Sequence, residues 1–360
     1  MKRIIFFLTL CLLAASTKVW AQVESEKIRV EELPKKVIDK SYQVVKKFNQ
    51  IDTTYIEEQH YNFTAMVQST ISFEEYTLKT SEGGLLEVAP DYNVKVGPYF
   101  GWRWIFMGIT MDISHVSNSK RQDYNLSLYS NQVGVDLFYR KTGDEYKIRK
   151  LNLGSGFSDR AIRDVPFGGF RSSIKGANLY YIFNHKKFSY PAAFSQSTCQ
   201  RRSCGTALAG IGYTRHSIEL DVQKLADVVR EHMGDDAASV LGTDLRSYKV
   251  KYTDISASGG YAYNWVFARN CLFTASLSAA LGYKRTKSQN VEDRPQLNDF
   301  SVKNFNLDGV GRFALVYNNT RWYAGANYVF HTYNYEKSDF STNSTFGSLN
   351  IYVGFNFQRR

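Results

Sequence analysis

The chain has 360 residues, a formal net charge of +11 and many aromatic residues, including 25 Tyr and 24 Phe. A charge of this size over such a length is a mild bias, which suits contact with anionic lipid or lipopolysaccharide but does not indicate a nucleic-acid-binding protein. Pro is scarce, with 6 residues, and a Tyr-rich, Pro-poor composition favours long β-strands.

The N-terminus has the pattern of a secretory signal peptide. Two basic residues, Lys2 and Arg3, precede a largely apolar run over residues 4–15 and a small-x-small site at 19–21. We predict that residues 1–21 are removed on export. The apolar run is too short for a membrane-spanning helix, and no later stretch approaches the roughly 18 apolar residues that such a helix needs.

Residues 22–58 differ from everything that follows. Their apolar residues recur at a helical spacing, with lysines on the opposite side: Val37, Ile38, Tyr42, Val45 and Phe48. This spacing predicts a periplasmic segment with one short amphipathic helix. Such a helix could plug a barrel, lie on the membrane surface or cap the structure.

From Tyr61 onward the hydrophobic period becomes two. In CLFTASLSAALGYK, which begins at Cys271, Phe, Ala and Leu alternate with Thr, Ser and other small residues. The polar faces of such segments carry mainly Ser, Asn, Gly and Gln, and aromatic residues gather near the segment ends. A transmembrane barrel has apolar side chains outside, polar ones inside and aromatic girdles at both interfaces.

Twelve spanning segments are predicted, an even number, as in single-chain bacterial barrels. They lie near residues 61–73, 90–101, 104–114, 126–140, 145–153, 172–184, 207–220, 250–268, 271–285, 302–318, 321–335 and 345–358. By parity, tight turns near 101–103, 268–270 and 318–320 share one side with the chain ends. The long connections 115–123, 154–171, 221–248 and 286–300 fall on the other side.

One connection on the short-turn side, 185–206, is long and fits the count least well. An added strand pair or an inward-folded loop could absorb it. On the opposite side, the connection 221–248 contains apolar residues at partly helical spacing, which predicts either a loop packed over the barrel mouth or a lid or partner-binding helix.

The final segment alternates cleanly up to the chain end, in TFGSLNIYVGFNFQRR. We predict that it pairs with the first segment, which leaves no open strand edge in lipid. Its terminal aromatics, Phe355 and Phe357, fit a strand that the barrel-insertion machinery reads. The predicted fold is therefore an all-β, transmembrane, antiparallel outer-membrane β-barrel over residues 59–358, in a Gram-negative bacterium.

Several stretches resemble a known family. They include YNFTAMVQ, KVGPYFGWRWIFMGITMDISH and GGYAYNWVFARNCLFTASLSAALGYK. The resemblance runs from about Phe48 to Phe357 and is to exported proteins of Bacteroidota, catalogued as domain of unknown function 4421. It implies an outer-membrane location and carries no activity, substrate or site residues.

Six charged residues fall on the polar side of the predicted strands: Asp112, Asp136, Arg140, Lys284, Asp308 and Arg312. Two interpretations compete. The charges could line a water-filled pore and set its selectivity, or they could pair across the lumen and lock it shut. Small inward residues between 256 and 282 slightly favour a cavity.

The remaining chemistry is sparse. Cys199 and Cys204, in CQRRSC, could form a local disulfide in an oxidising periplasm, or less plausibly a redox or metal site.

The six histidines have no zinc spacing, so no metal, cofactor or catalytic residue is predicted. His216 and Ser217 are adjacent strand residues that point to opposite faces. His331 falls on the polar face and could be a lumen base.

The predicted function is a channel or transporter for a small polar or anionic solute. The alternative is a non-conducting structural barrel whose outer loops bind a partner or lipopolysaccharide. A lipid-modifying outer-membrane enzyme is a third, less favoured hypothesis.

Overall fold

A computed structural model describes residues 51–80, 83–102, 105–109, 111–113, 122–143, 145–154, 162–241, 248–286, 305–337 and 340–359. The predicted signal peptide and the apolar positions of the predicted N-terminal helix lie outside these residues. The described end of the segment 22–58 forms a turn and a short strand, Ile56–Glu58. No helix in the described ranges is long and apolar enough to cross a membrane.

The described chain consists almost entirely of strands. In order they are β1 (Ile56–Glu58), β2 (Tyr61–Thr80), β3 (Leu85–Pro90), β4 (Asn93–Trp102), β5 (Ile105–Gly108), β6 (Met111–Asp112), β7 (Gln122–Tyr129), β8 (Val133–Lys141), β9 (Tyr146–Asn152), β10 (Val165–Pro166), β11 (Phe170–Ile182), β12 (Thr198–Gln200), β13 (Cys204–Leu220), β14 (Tyr248–Ala268), β15 (Cys271–Thr286), β16 (Phe305–Asn318), β17 (Trp322–Lys337) and β18 (Phe340–Arg359). The helices are α1 (Pro191–Phe194), α2 (Val222–Met233) and α3 (Asp235–Ser239).

The wall of the fold is one antiparallel sheet. It runs from β2 through β18, β17, β16, β15, β14, β13, β11 and β8 to β7, and on its other side β2 pairs with β4, which pairs with β5 and β6. If β5 and β6 are taken as one interrupted strand, the described residues supply twelve wall strands. Fold class and number both agree with the prediction.

The membership of the wall differs from the prediction in two places. The segment 126–140 is a hairpin of β7 and β8, because the chain turns at Ser130, whose backbone N–H donates to the Val133 carbonyl at 2.9 Å. The segment 145–153 contains β9, which is outside the wall and pairs with β3 and β10. The predicted number of wall strands is nevertheless correct, because the first difference adds one strand to the wall and the second removes one.

The terminal strand pairs as predicted. β18 lies antiparallel to β2 from Phe340, opposite Thr80, to Arg359, opposite Tyr61. The sheet also curls on itself, because Arg140 of β8 donates to the carbonyls of Phe73 in β2 and Gly347 in β18, at 2.9 and 3.2 Å. Six strands separate β8 from β18 along the sheet, so these bonds cross the interior of the curled sheet, which we call the lumen. Among the described residues, the edge strand β7 has no ladder with β5 or β6.

The outer face of the wall is apolar and exposed. Its large exposed residues include Val67, Phe100, Ile211, Ile255, Leu277, Leu307, Leu315, Ile351 and Val353. At the short-turn end the exposed ring side chains include Trp265, Phe267, Tyr317 and Trp322. A continuous apolar belt that ends in aromatics is suited to lipid and not to water.

The sheet extends beyond the wall on the side opposite the short turns, which we call the far side. There the end of β2 joins β3, β9 and β10, and this extension packs with α2 and α3 around one hydrophobic core. Its largest members are Tyr76, Tyr146, Ile148, Phe167 and Phe170. We call this unit the cap. Leu225 and Val229 anchor α2 in its core, so the described part of the connection 221–248 includes a helix that belongs to the cap.

On the short-turn side, the near side, residues 183–203 fold inward and form what we call the plug segment. Ala192 and Ala193 of α1 pack against Leu272, Ala314 and Val316 of the wall. β12, at the end of the segment, pairs with β1. The long near-side connection is therefore an inward-folded loop.

Candidate functional site in the lumen

Five of the six predicted lumen charges are buried inside the barrel: Asp136, Arg140, Lys284, Asp308 and Arg312. The sixth, Asp112, is partly buried in β6 and lies opposite Lys95 of β4 in the register. Period-two alternation places all six on the predicted face, because a strand sends alternate side chains to opposite faces.

The buried charges are paired, in each case with a residue on another strand. Arg312 of β16 binds Asp136 of β8 across the lumen. Lys284 Nζ lies 2.8 Å from Asp308 Oδ1. Pairing offsets the cost of removing these groups from water, and the geometry supports the interpretation in which the charges lock the lumen.

The partner of Arg140 was missed at the sequence level. Arg140 Nε lies 3.1 Å from Asp123 Oδ1, and the two residues are directly opposite in the register of β7 and β8. Sequence reasoning assigned Asp123 to a loop, because the start of β7 was placed four residues too late. The alternation of Asp123, Asn125 and Ser127 against Tyr124 and Leu126 was the available signal.

Aromatic rings fill much of the lumen beside these pairs. One cluster joins Phe138, His331, Tyr333 and Phe346. The Arg140 guanidinium carbon lies 4.7 Å from the centroid of the Phe346 ring. A second stack joins His216, Tyr252 and Tyr335, with ring centroids 4.5 and 4.7 Å apart. Rings and charged pairs therefore lie side by side at this level of the lumen.

The two histidines considered for chemistry are both buried. His216 Nε2 lies 3.2 Å from Thr214 Oγ1, and the neighbouring Ser217 is on the other face of β13. His331 lies between the rings of Phe138 and Phe346, with centroids 5.4 and 5.3 Å away. It faces the lumen as expected, and its role as a base stays a prediction.

Polar contacts hold the plug segment in the barrel. The hydroxyls of Tyr190 and Ser276 are 2.5 Å apart. Gln196 Nε2 donates to the Tyr352 hydroxyl at 2.8 Å, and its Oε1 accepts from Asn318 Nδ2 at 3.1 Å. These bonds reach β15, β16 and β18, so the segment is anchored on several sides of the near mouth.

The predicted disulfide is not formed in this structure, where Cys199 and Cys204 are free thiols. Cys199 Sγ donates to the Asn318 carbonyl at 3.9 Å, whereas Cys204 Sγ accepts from Asn184 Nδ2 at 3.1 Å. The two thiols face different neighbours because they belong to different strands, β12 and β13. Burial raises the pKa of the Cys199 thiol to about 12.

A cavity of about 830 Å³ lies in the lumen between the plug segment and the level of Arg140. One wall is a row of polar side chains that we call the amide ladder: Gln68, Thr70, Asn327 and Asn350. Gln68 Nε2 and Thr70 Oγ1 donate to Asn350 Oδ1 at 3.1 and 2.7 Å, and Asn350 Nδ2 donates to Asn327 Oδ1 at 2.8 Å.

The amide ladder was not identified from the sequence. Asn350 is opposite Asn327 on one side and Thr70 on the other, and only the register of three strands brings these residues together.

In the described part of the chain, no cluster of three His, Cys, Asp or Glu residues has the geometry to hold a metal ion.

The chain has low-scoring similarity to several solved outer-membrane proteins. The outer membrane protease OmpT of Escherichia coli is 7% identical over 82% of this chain and 97% of its own, with a TM-score of 0.34. The translocator domain of the autotransporter NalP of Neisseria meningitidis is 11% identical over 96% and 99%, with a TM-score of 0.30. The outer membrane protein OprG of Pseudomonas aeruginosa is 8% identical over 84% and 98%, with a TM-score of 0.21.

No curated protein matches the chain. The family model described as "Domain of unknown function (DUF4421)" matches residues 50–357, which include all the described wall strands except the last two residues of β18. The chain belongs to this family, as its sequence resemblance implied.

Proposed function

We propose that the protein is an outer-membrane barrel of a Gram-negative bacterium that takes a small polar molecule into a lumen closed to free diffusion. The single observation that carries the proposal is the cavity of about 830 Å³, which has the amide ladder on one wall and the plug segment on its near side. A cavity of this volume is in the range of small-molecule sites. The proposal keeps the predicted transport function. It differs from an open channel because the solute binds in the lumen and does not diffuse through it freely.

The closed state rests on two features at different depths. The plug segment fills the near mouth, where Tyr190 and Gln196 bind three wall strands. Deeper in the lumen, Arg312 and Asp136 join opposite walls. A general-diffusion pore needs a continuous aqueous path lined by polar groups, and both features stand in such a path.

Conductance in a planar bilayer tests this proposal. We expect the purified, refolded protein to show no steady current. A variant in which a Gly-Ser linker of equal length replaces residues 190–197 should show discrete current steps, because the contacts of the plug segment are removed. The matched control carries the same linker in place of residues 290–297, between β15 and β16, and should stay silent.

Heat-modifiable migration on a gel establishes that each variant is folded. Long-lived steps from the unmodified protein would overturn the closed lumen. Silence from a folded variant without the plug residues would also count against the proposal, because the near mouth would then not be closed by this segment.

A second candidate function, partner or lipopolysaccharide binding, is favoured by the cap. The cap has its own hydrophobic core and a helix, α2, whose exposed face includes Lys224 and Arg230. Deletion of residues 221–248 would remove Leu225 and Val229 from that core. Lys224→Glu with Gln223→Glu is therefore the sharper test, and unchanged lipopolysaccharide retention by this variant would count against the α2 face.

A further inference from the structure

We propose that the lumen cavity binds a neutral, polyhydroxylated molecule, a mono- or disaccharide. This inference rests on the proposed function, since it names the class of the polar molecule. It departs from the expectation of an anionic solute. Four properties of the cavity lead to it: its charge balance, the amide ladder, its aromatic faces and one unpaired buried nitrogen.

The charge balance of the cavity disfavours an ion. Its charged lining residues are Lys95, Asp123, Asp136 and Arg140, two of each sign. Asp123 is paired with Arg140, and Asp136 with Arg312 behind it. An ion bound against Asp123, Asp136 or Arg140 would have to separate one of these buried pairs, and leaving a buried charge unpaired is costly. The remaining charge, Lys95, lies opposite Asp112 in the register. A neutral molecule leaves both pairs intact.

The amide ladder offers the hydrogen bonds that hydroxyl groups need. A side-chain amide carries both donors and acceptors, and a sugar hydroxyl can likewise donate and accept. Gln68, Asn327 and Asn350 present three such amides from neighbouring strands, and their mutual bonds fix their positions. A row of fixed amides matches a molecule with several hydroxyls better than one with a single polar group.

Aromatic rings also line the cavity. Tyr129 and Phe194 are in contact, with ring centroids 5.6 Å apart. Phe194 comes from the plug segment, so the plug forms part of the site as well as closing it. Binding sites for small molecules combine such apolar faces with a few placed polar groups, and the faces of a sugar ring carry C–H groups that pack on aromatic rings.

One buried nitrogen on the cavity wall has no partner in the described structure. His331 is 7% exposed, lines the cavity, and its Nδ1 makes no hydrogen bond to a described residue. An unpaired buried polar atom costs free energy that a bound group can recover. Neutral imidazole has one donor and one acceptor nitrogen, so His331 can serve a hydroxyl in either role.

Calorimetric titration of the full mature chain in detergent tests the inference. The probes are glucose and maltose as neutral saccharides, alanine as a zwitterion, and glutamate and inorganic phosphate as anions. We expect saturable heat with at least one saccharide and none with the anions. Asn350→Leu should weaken saccharide binding by about tenfold or more, because it removes the centre of the amide ladder.

Two further variants guard against misfolding. Gln68→Leu removes one end of the ladder and should weaken binding in the same direction. Ile351→Val changes the neighbouring residue on the exposed outer face and should leave binding unchanged.

Three outcomes would overturn the inference: no saccharide binds folded protein, an anion or alanine binds more tightly than either saccharide, or both ladder variants bind normally. An anion or alanine that binds in their place leaves the closed, solute-binding lumen standing. Current steps from the unmodified protein test that lumen separately.

Discussion

Arg312 and Asp136 form a buried ion pair between strands that are not neighbours, with four strands between β16 and β8 along the sheet. Arg312 also lies over the ring of Tyr180, 4.7 Å from its centroid, and Asp136 Oδ1 accepts from Ser127 Oγ at 2.7 Å. The pair therefore connects opposite walls of the lumen, and each of its two members is held by a further contact.

Removing one member of this pair should destabilise the barrel strongly. Arg312→Met leaves the Asp136 carboxylate buried without its counter-charge, which costs about 3–5 kcal/mol of unfolding free energy. The double variant Asp136→Leu with Arg312→Met should recover much of that loss, because no buried charge remains. Urea unfolding in lipid vesicles measures both.

The exposed pair of Lys249 and Glu219, 2.8 Å apart, is the matched control. Lys249→Met should change the unfolding free energy by only about 0–1 kcal/mol, because water and salt screen such a pair. Equal losses for Lys249→Met and Arg312→Met would show that burial does not govern the strength of these pairs.

Loss of the terminal strand should prevent folding. Deletion of residues 345–358 removes most of β18 and exposes the facing edges of β2 and β17 to lipid, where unpaired backbone groups are costly. We expect no heat-modifiable band from this truncation. Deletion of residues 359–360 alone should leave the band in place, and a normal band from the larger deletion would contradict the pairing of β18 with β2.

The Cys199 thiol should be unreactive in the folded protein. Burial raises its pKa to about 12, so at pH 8 only about one thiol in 10⁴ is the reactive thiolate. In a mature chain with Cys204→Ser and Cys271→Ser, maleimide labelling should be slow when folded and fast in urea. Without these substitutions, intact mass should correspond to three free thiols; a mass lower by two hydrogens would show a disulfide.

The cap should lose stability in acid through Asp91. Hydrogen bonds from Lys147 and Arg149, at 2.6 and 3.0 Å, hold the pKa of its carboxyl below the usual value against a smaller opposing effect of burial. A lowered pKa means that Asp91 contributes stability above the pKa of the unfolded chain and loses it as pH falls through the folded value. Because these groups are partly exposed, the contribution is at most about 1 kcal/mol.

Hydrogen exchange of β9 measures this effect. Asp91→Asn should raise exchange at neutral pH, and its effect should shrink as the pH falls and the carboxyl becomes protonated in the folded state too. Glu87→Gln, on the same side of the barrel, is the control. An Asp91→Asn effect that persists unchanged in acid would rule out the charge as its cause.

The alternation of residues was sufficient to predict the fold class, because a wall with lipid outside and polar groups inside imposes period two on every strand. It also assigned Arg140 and Asp136 to the inner face. Alternation does not say which strand lies opposite, and so it could not predict that Arg312 meets Asp136. For the same reason it did not place Asn350 between Asn327 and Thr70.

The hydrophobic period of the sequence could not predict two features of the chain. The plug segment is an irregular loop whose position depends on contacts with distant strands, such as Gln196 with Tyr352. The hairpin at Ser130 interrupts the alternation so briefly that β7 and β8 read as one strand. The interactions that place the plug segment are non-local in sequence, whereas the turn at Ser130 is local but too short to disturb the periodicity.

β2 is 20 residues long. This is nearly twice the roughly 9–11 residues that a tilted strand needs to cross a bilayer. The same strand is therefore a wall element at Tyr61 and part of the cap core at Tyr76 and Leu78. A tensile load applied to the cap would run along β2 and act on its ladder with β18 in shear, so many hydrogen bonds would have to break together instead of unzipping singly. This continuity makes the cap mechanically inseparable from the membrane-embedded wall.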